Sequence, residues 1–447
     1  MKRLILILGA MFLVFSLSAQ RQVDSLSQYH RSSLYSILIK HSQLPYGEAI
    51  DSAFMIMPVP DKFNDHNLPV RSFESTAKKV KKAADNKKKD VQNMSDIQAF
   101  FEAEATAKGI ISKWFNRDAA TGLCNMDLIS ERGFYDASQL DIRLAEQSTR
   151  GKAQLADAGD KLIGNTYVLV NDITFVDRGE VSQGVGTGLR VLGLLAGAVL
   201  GTDLSDLTNA TASMVENIDG FKVNITSYLY RLAWNEDLLW DFYTRFYADE
   251  NYSESDRIAN RDRFNAIAGN DPLYSLEFVG KTTTGAGNMS SKYFAEQSKE
   301  EQMLKVCTRA IDKSIVQLQR QYDEFKVNVP IYRINEDGTV DVQIGLKEGV
   351  NIKSEYDVLM PEEDEEGRIF YTKVGSMRPV KGMIWDNRFG AMEDAEALAN
   401  DKDAKADEDA EGGNAYLEAT TFKVITGGNR IVPGCLVRES TIKQAKK

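Results

Sequence analysis

The residue types that carry most protein chemistry are scattered along this chain. His30, His41 and His66 are its three histidines. There is no H-E-x-x-H zinc motif and no G-x-S-x-G nucleophile elbow. A Ser-His-Asp or Cys-His set would need one of those N-terminal histidines to fold back onto a distant nucleophile. Cys124, Cys307 and Cys435 lie too far apart in sequence for zinc spacing or a disulfide framework, and they read as small buried hydrophobes. The 65 Asp and Glu residues supply many carboxylate pairs of the kind that cleave glycosides. No aromatic cluster beside them suggests a sugar subsite, so a secreted hydrolase with an unrecognised carboxylate site stands as an alternative. Asp407, Asp409, Glu411, Gly412 and Glu418 fall at positions 1, 3, 5, 6 and 12 of a calcium-loop spacing. Glu411 stands where Asp or Asn is wanted and no helix follows, so a calcium- or glycan-binding module is a further alternative. No cofactor motif is found, and none is expected.

The stretch "QGVGTGLRVLGLLAGAVLGTD", residues 183–203, is dense in glycine and apolar residues. Gly184, Gly186, Gly188 and Gly193 do not spell G-x-G-x-x-G, and no lysine completes a phosphate loop. The uninterrupted apolar part, Val191 to Leu200, is about half of what a spanning helix needs. Gly193, Ala196, Gly197 and Gly201 recur three or four apart, a spacing that lets a second backbone come close. Two readings follow: a helix inside the core, or an exposed apolar helix used for self-association or for lying on a membrane surface.

The elements that must position such residues begin with an export signal. Lys2 and Arg3 precede an apolar run from Leu4 to Phe15, and Ser16-Leu17-Ser18-Ala19 offers small residues for cleavage after Ala19. Removing residues 1–19, which carry two basic residues and no acid, takes the formal charge from −11 to −13. That balance argues against nucleic acid as a partner, because neutralising phosphates needs a basic surface.

The 447 residues fit two to three domains. Residues 20–94 read as an N-terminal segment and linker. Leu34, Ile37, Leu38 and His41 suggest a short helical face, three prolines then break regular structure, and seven lysines between Lys78 and Lys89 suggest a solvated helix or linker. Ser95-Asp96-Ile97-Gln98 has the pattern of a capping box. It would open an amphipathic helix carrying Ile97, Phe100, Phe101, Ala105, Ile110, Ile111 and Trp114. "NTYVLVNDITFVD" reads as a strand covered on both faces, and "FKVNITSYLYRLAW" as one with a wetter face. "NED" at 235–237 reads as a turn, and residues 291–325 as the longest helix.

Near Phe325 the apolar period changes to two. "VNVPIYRI" and "TVDVQIG" flank "NEDG", a hairpin signal, and further short strands follow. The expected fold class is therefore α/β, a mixed sheet with packed helices over 95–325, followed by a small all-β barrel-like domain over 326–440. Within the latter, 391–413 is acidic, alanine-rich and reads as a disordered or loosely helical loop.

"NMDLISERGFYDASQLDIRLAEQS" and "AGDKLIGNTYVLVNDITFVD" resemble the α/β domain of bacterial envelope export and assembly proteins, namely the curli secretion-channel family and the periplasmic flagellar-assembly T family. Glu131-Arg132, Leu162, Gly164, Val168, Val170, Ile173 and Phe175 hold matching places. In those families Glu-Arg ends a strand. "GFKVNITSYLYRL" and "AIDKSIVQLQRQY" are similar to the next strand and the closing helix, and "GLKEGVNIKSEYDVLMPEE" and "IVPGCLVRE" to a small terminal β-domain. The resemblance spans about half of the mature chain. It implies a non-enzymatic envelope scaffold or assembly factor, periplasmic or outer-membrane-associated, that associates with itself or with other envelope proteins. The lipid-attachment cysteine and the paired membrane hairpins of the curli channel are not recognisable here, so a pore is not implied. Exported protein should begin at Gln20, and intact-mass measurement of material from the cell exterior or periplasm checks this; a chain still starting at Met1 would refute it.

Overall fold

A computed structural model describes residues 32–44, 46–76, 86–133, 162–177, 221–287, 297–363, 369–400 and 413–440. The architecture is mixed α/β, with a second, antiparallel β sheet after it. Strand β1 (Ser33–Lys40) lies beside β4 (Thr166–Asp177) in parallel, with Ser33 opposite Thr166 and Ile39 opposite Asp172. β5 (Phe221–Leu232) and β6 (Leu276–Gly287) continue the sheet antiparallel. Two short strands, β2 (Asn64–Asp65) and β3 (Ser72–Glu74), pair with β1 in parallel.

Both faces of this sheet are covered. On one side α1 (Gly47–Ile56) and the long α7 (Lys299–Gln321) bury Phe54, Val306, Ala310 and Leu318 against Leu34, Leu169 and Leu229. On the other, α2 (Asn86–Ala103), α3 (Thr106–Trp114), α5 (Glu236–Arg245) and α6 (Glu254–Asn265) bury Ile97, Ile110, Trp114, Phe242 and Phe264 against Ile37, Val168 and Val170. β4 sits between the layers, and Tyr167 to Val170 are fully enclosed, as the continuous apolar run requires.

The short α4 (Asp127–Gly133) contributes Ile129 to the second face. The start of α7 carries a full capping box, Ser298 with Glu301, which satisfies two otherwise orphaned backbone donors.

After α7 the strands β7 (Val329–Ile334), β8 (Val340–Val342), β9 (Tyr356–Glu363), β10 (Ile369–Pro379), β13 (Thr420–Thr426) and β14 (Leu436–Glu439) pair antiparallel. Their hydrogen-bonded path, β10-β13-β8-β7-β14-β9, returns to its start. They enclose a separate core that includes Val342, Val358, Met377 and Phe422. A two-residue parallel pair, β11 (Ile384–Trp385) with β12 (Gly413–Asn414), brackets α8 (Ala391–Asn400).

Several expectations need correction. Residues 34–40 form a strand, not a helical face. Every residue from Ser33 to Ile39 is buried, so polar and apolar positions do not alternate, and over so short a run the two periods cannot be told apart. Helix α2 begins at Asn86, inside the lysine run, and Ser95 is exposed in mid-helix. Gln98 donates forward to Glu102 (2.9 Å) instead of reaching back to a cap.

The single amphipathic helix expected over 95–114 is two helices. They are separated at Ala105, which takes a left-handed conformation (φ 46°, ψ 49°). The loop at Gly269 packs into that corner so closely that a Cβ there would meet the Glu102 carbonyl. Asn235 does not make a turn; it caps α5 by accepting from the Leu238 N–H at 2.9 Å. Glu131-Arg132 lies near the end of α4, not at a strand end. Residues 391–400 are helical and docked, so only 401–412 of the acidic stretch lies outside the described residues.

A left-handed alanine is strained by about 1–2 kcal/mol, which glycine avoids at some entropic cost. Ala105→Gly should therefore raise stability by roughly 0.5–1 kcal/mol, read as a higher urea midpoint with an unchanged slope.

Candidate functional site

Where β1 ends, the residue after it and helix α2 converge on one carboxylate of β4. Asp172 of β4 is almost wholly buried. His41, one residue beyond β1, places Nε2 2.6 Å from its Oδ1. From α2, Lys89 Nζ lies 2.6 Å from Oδ2, and Asn93 Nδ2 donates to the same oxygen at 2.8 Å. Asn93 also donates to the Tyr228 hydroxyl (3.3 Å), which donates to Asp90 (2.8 Å), and Asp90 pairs with Lys281 of β6.

The geometry follows from the helix period. Lys89, Asn93 and Ile97 are four apart, so they share one face of α2. That face is apolar where it meets the hydrophobic sheet and turns polar where the sheet presents Asp172. Burial alone would raise the Asp172 pKa. The hydrogen bond from His41 and the Lys89 charge outweigh that and hold it below the usual carboxylate range. Burial pushes the Tyr228 hydroxyl well above its ordinary value, so it stays protonated as a donor to Asp90.

His41 and Asp172 have the arrangement of a base and its orienting carboxylate. A small cleft lined by His41, Leu44, Gly47 and Thr174 adjoins them. Among the described residues no Ser, Thr or Cys side chain bonds His41. Lys89 and Asn93 fill the other acceptor sites of Asp172. Chemically the arrangement is a closed clasp that fastens α2 to the sheet.

A second histidine is spent in the same way. His66 accepts from Arg132 Nη1 at Nδ1 (3.1 Å), and its Nε2 faces the Ile110 carbonyl (3.0 Å), which makes Nε2–H the donor. Burial, then the Arg132 charge, keeps it neutral, well below its usual pKa. Arg132 further donates to Ser33 Oγ (2.8 Å) and the Asp65 carbonyl (2.8 Å) and lies over the Trp114 ring. The Glu131-Arg132 pair thus contributes its arginine to packing, while Glu131 is exposed.

A third cluster joins the helical layer to the β region. Asp394 of α8 accepts from Lys305 Nζ (2.5 Å) and Arg309 Nη2 (2.9 Å) of α7, and Arg309 also donates twice to the Phe389 carbonyl.

Of the residues singled out in the sequence, Gly193, Ala196, Gly197 and Gly201 lie outside the described residues, as do Asp407, Asp409, Glu411 and His30. Glu418 is exposed just before β13. No group of three or more potential metal ligands occurs among the described residues. Cys124, Cys307 and Cys435 are buried and unpaired. Among the described residues no helix is long and apolar enough to cross a membrane.

Asp172 itself was missed. Its signal was present: a charged residue inside a strand covered on both faces must be partnered. The chain matches no protein-family model and no curated protein.

Asp172→Asn leaves Lys89 without its counter-charge and His41 without its carboxylate partner and should cost about 3 kcal/mol, partly recovered in the double variant with Lys89→Met. The depressed pKa of Asp172 adds stability above the ordinary carboxylate range that is lost as pH falls through its folded value. Urea unfolding of the Asn variant should lack that part of the decline below about pH 4.

Proposed function

We propose that this protein is a non-catalytic exported scaffold of the bacterial envelope, periplasmic or associated with the outer membrane, that serves assembly of a secretion or surface structure. The observation that carries this reading is where the buried charged and titratable groups go. Asp172, His66, Arg132, Lys305, Arg309 and Asp394 are each satisfied by another group of the fold, and each holds one element against another. The export-type N-terminus and the acidic net charge agree with it. In this reading 326–440 is a barrel-like domain of its own, and the Gly/Ala/Leu stretch between β4 and β5 is the contact surface for another copy, for a second envelope protein, or for a membrane surface.

A hydrolase reading would rest on Asp312, a carboxyl that burial pushes up to about 7. The neighbouring carboxylates are already engaged. Asp61 pairs with Lys347 (3.0 Å), and Glu348 accepts from Gly345 N–H and Asn387 (both 2.7 Å).

The test is native mass of the mature protein with and without detergent, for wild type and Gly197→Leu. An assembly contact at 184–201 gives a larger species, or detergent-dependent association, that the leucine variant loses while its melting temperature holds. A melting shift corresponding to about 1–3 kcal/mol, with native mass and membrane partitioning unchanged, would place the segment in the core and reject the contact.

A further inference from the structure

One buried carboxyl takes no part in these clasps. Asp312 sits near the middle of α7, 7% exposed, and its Oδ2 is enclosed without a hydrogen-bond partner. It lines a small cleft with Ser36, Met57, Val59, Pro60, Thr308 and Ile311, and Arg71 lines it too. Two other pieces come close to Asp312 on α7. One is the loop that follows α1, carrying Asp61. The other is the turn Leu346–Glu348 of the β region, carrying Lys347 and Glu348. Lys347 of that turn reaches Asp61 across the junction at 3.0 Å.

The charged groups acting on Asp312 are few. Lys347 favours its ionised form, and so, more weakly, does Arg309 of its own helix; Glu348 and Asp61 oppose it, and burial opposes it most. Arg309 is already committed to Asp394 and Phe389. Arg71 spends its guanidinium on the Ser36 and Met55 carbonyls. Ionised in place, Asp312 would be an anion in an apolar cleft with an unpaired oxygen, beside two carboxylates and one cation that another acid already holds. Such a charge is too costly to keep enclosed. The carboxylic acid form carries no such penalty and can keep the cleft closed.

We infer that Asp312 is a proton-dependent latch between the α/β region and the β region. Protonated, it lets the loop at 57–61 and the turn at 346–348 close over α7. Ionised, it opens that junction and competes with Asp61 for Lys347.

The sign follows from linkage. A carboxyl near 3.8 when solvated and raised to about 7 when enclosed binds its proton more tightly in the closed state. The open population therefore grows as pH rises from the ordinary carboxylate range to about 7, by up to about tenfold per unit, and levels off above that.

The experiment is hydrogen exchange of the full mature chain at pH 5 and pH 8, corrected for intrinsic exchange rates, read at the amides of Phe63, Glu348 and Gly349, each of which bonds a local carbonyl when closed. Wild type should exchange at least tenfold faster relative to its intrinsic rate at pH 8, and Asp312→Asn should show equal protection at both. Lys347→Met removes the cation that lowers the Asp312 pKa, so its levelling-off should move to higher pH; this arm stands if the Asn variant does not fold. Equal protection at pH 5 and 8 in wild type, or the same rise in the Asn variant, or an unmoved profile in Lys347→Met, overturns the latch.

Discussion

A carboxylate enclosed at the centre of a sheet has to be answered from outside its own strand. Asp172 sits in β4, flanked by β1 and β5 and roofed by helices, and an isolated ion there would cost far more than a domain can spare. Its three donors come from the residue after β1 and from two positions one turn apart on α2. That requirement fixes the rotation of α2 about its axis. Once Lys89 and Asn93 point down, Ile97, Phe100 and Phe101 follow onto the sheet, where Phe101 meets Tyr230 edge-on and Phe100 stacks on Phe73.

The neighbouring residue does the same work on the opposite face. Asn171 donates to Ser36 Oγ (3.2 Å) and accepts from Ser227 Oγ (2.8 Å), and Ser227 also bonds Ser314 of α7 (2.9 Å). Two consecutive polar residues at the centre of the strand therefore orient both helical layers. Apolar packing supplies most of the stabilisation, but it is non-directional; the hydrogen bonds choose among packings of similar area.

How much of this was legible follows from the kind of signal each element carries. β4, β5, the 329–342 hairpin and α7 announce themselves by period, because each has either a continuous apolar run or one clean stripe. β1 does not, since a strand buried on both faces and only eight residues long has no alternation to read. The first turns of α2 were hidden by composition. Lys87 and Lys88 face solvent while Lys89, their neighbour, is drawn inward, and a run of identical residues gives no hint of which one turns in. α8 reads as part of a disordered or loosely helical acidic loop because one of its two buried residues, Asp394, is itself an acid, and its partners Lys305 and Arg309 lie far away on α7. Long-range charge pairing leaves no mark on local periodicity.

The same limitation explains why the two regions read as independent. Their cores are separate clusters, and Val327 is a residue packed against both. The side-chain bonds that cross between them are strung along α7: Lys305 and Arg309 to Asp394, Lys347 to Asp61 beside Asp312, and Arg320 to Glu439 (2.8 Å) and the Gly349 carbonyl (2.9 Å). These contacts differ in kind. Asp61 is largely exposed, so its pair with Lys347 is screened by salt and contributes little, whereas the Asp394 cluster is enclosed and costly to break by halves. A junction firm at one end of a helix and weak in its middle is built to yield locally without separating. Asp312 lies at the weak part, where a single charge is enough to shift the balance, while the enclosed cluster keeps the β region attached.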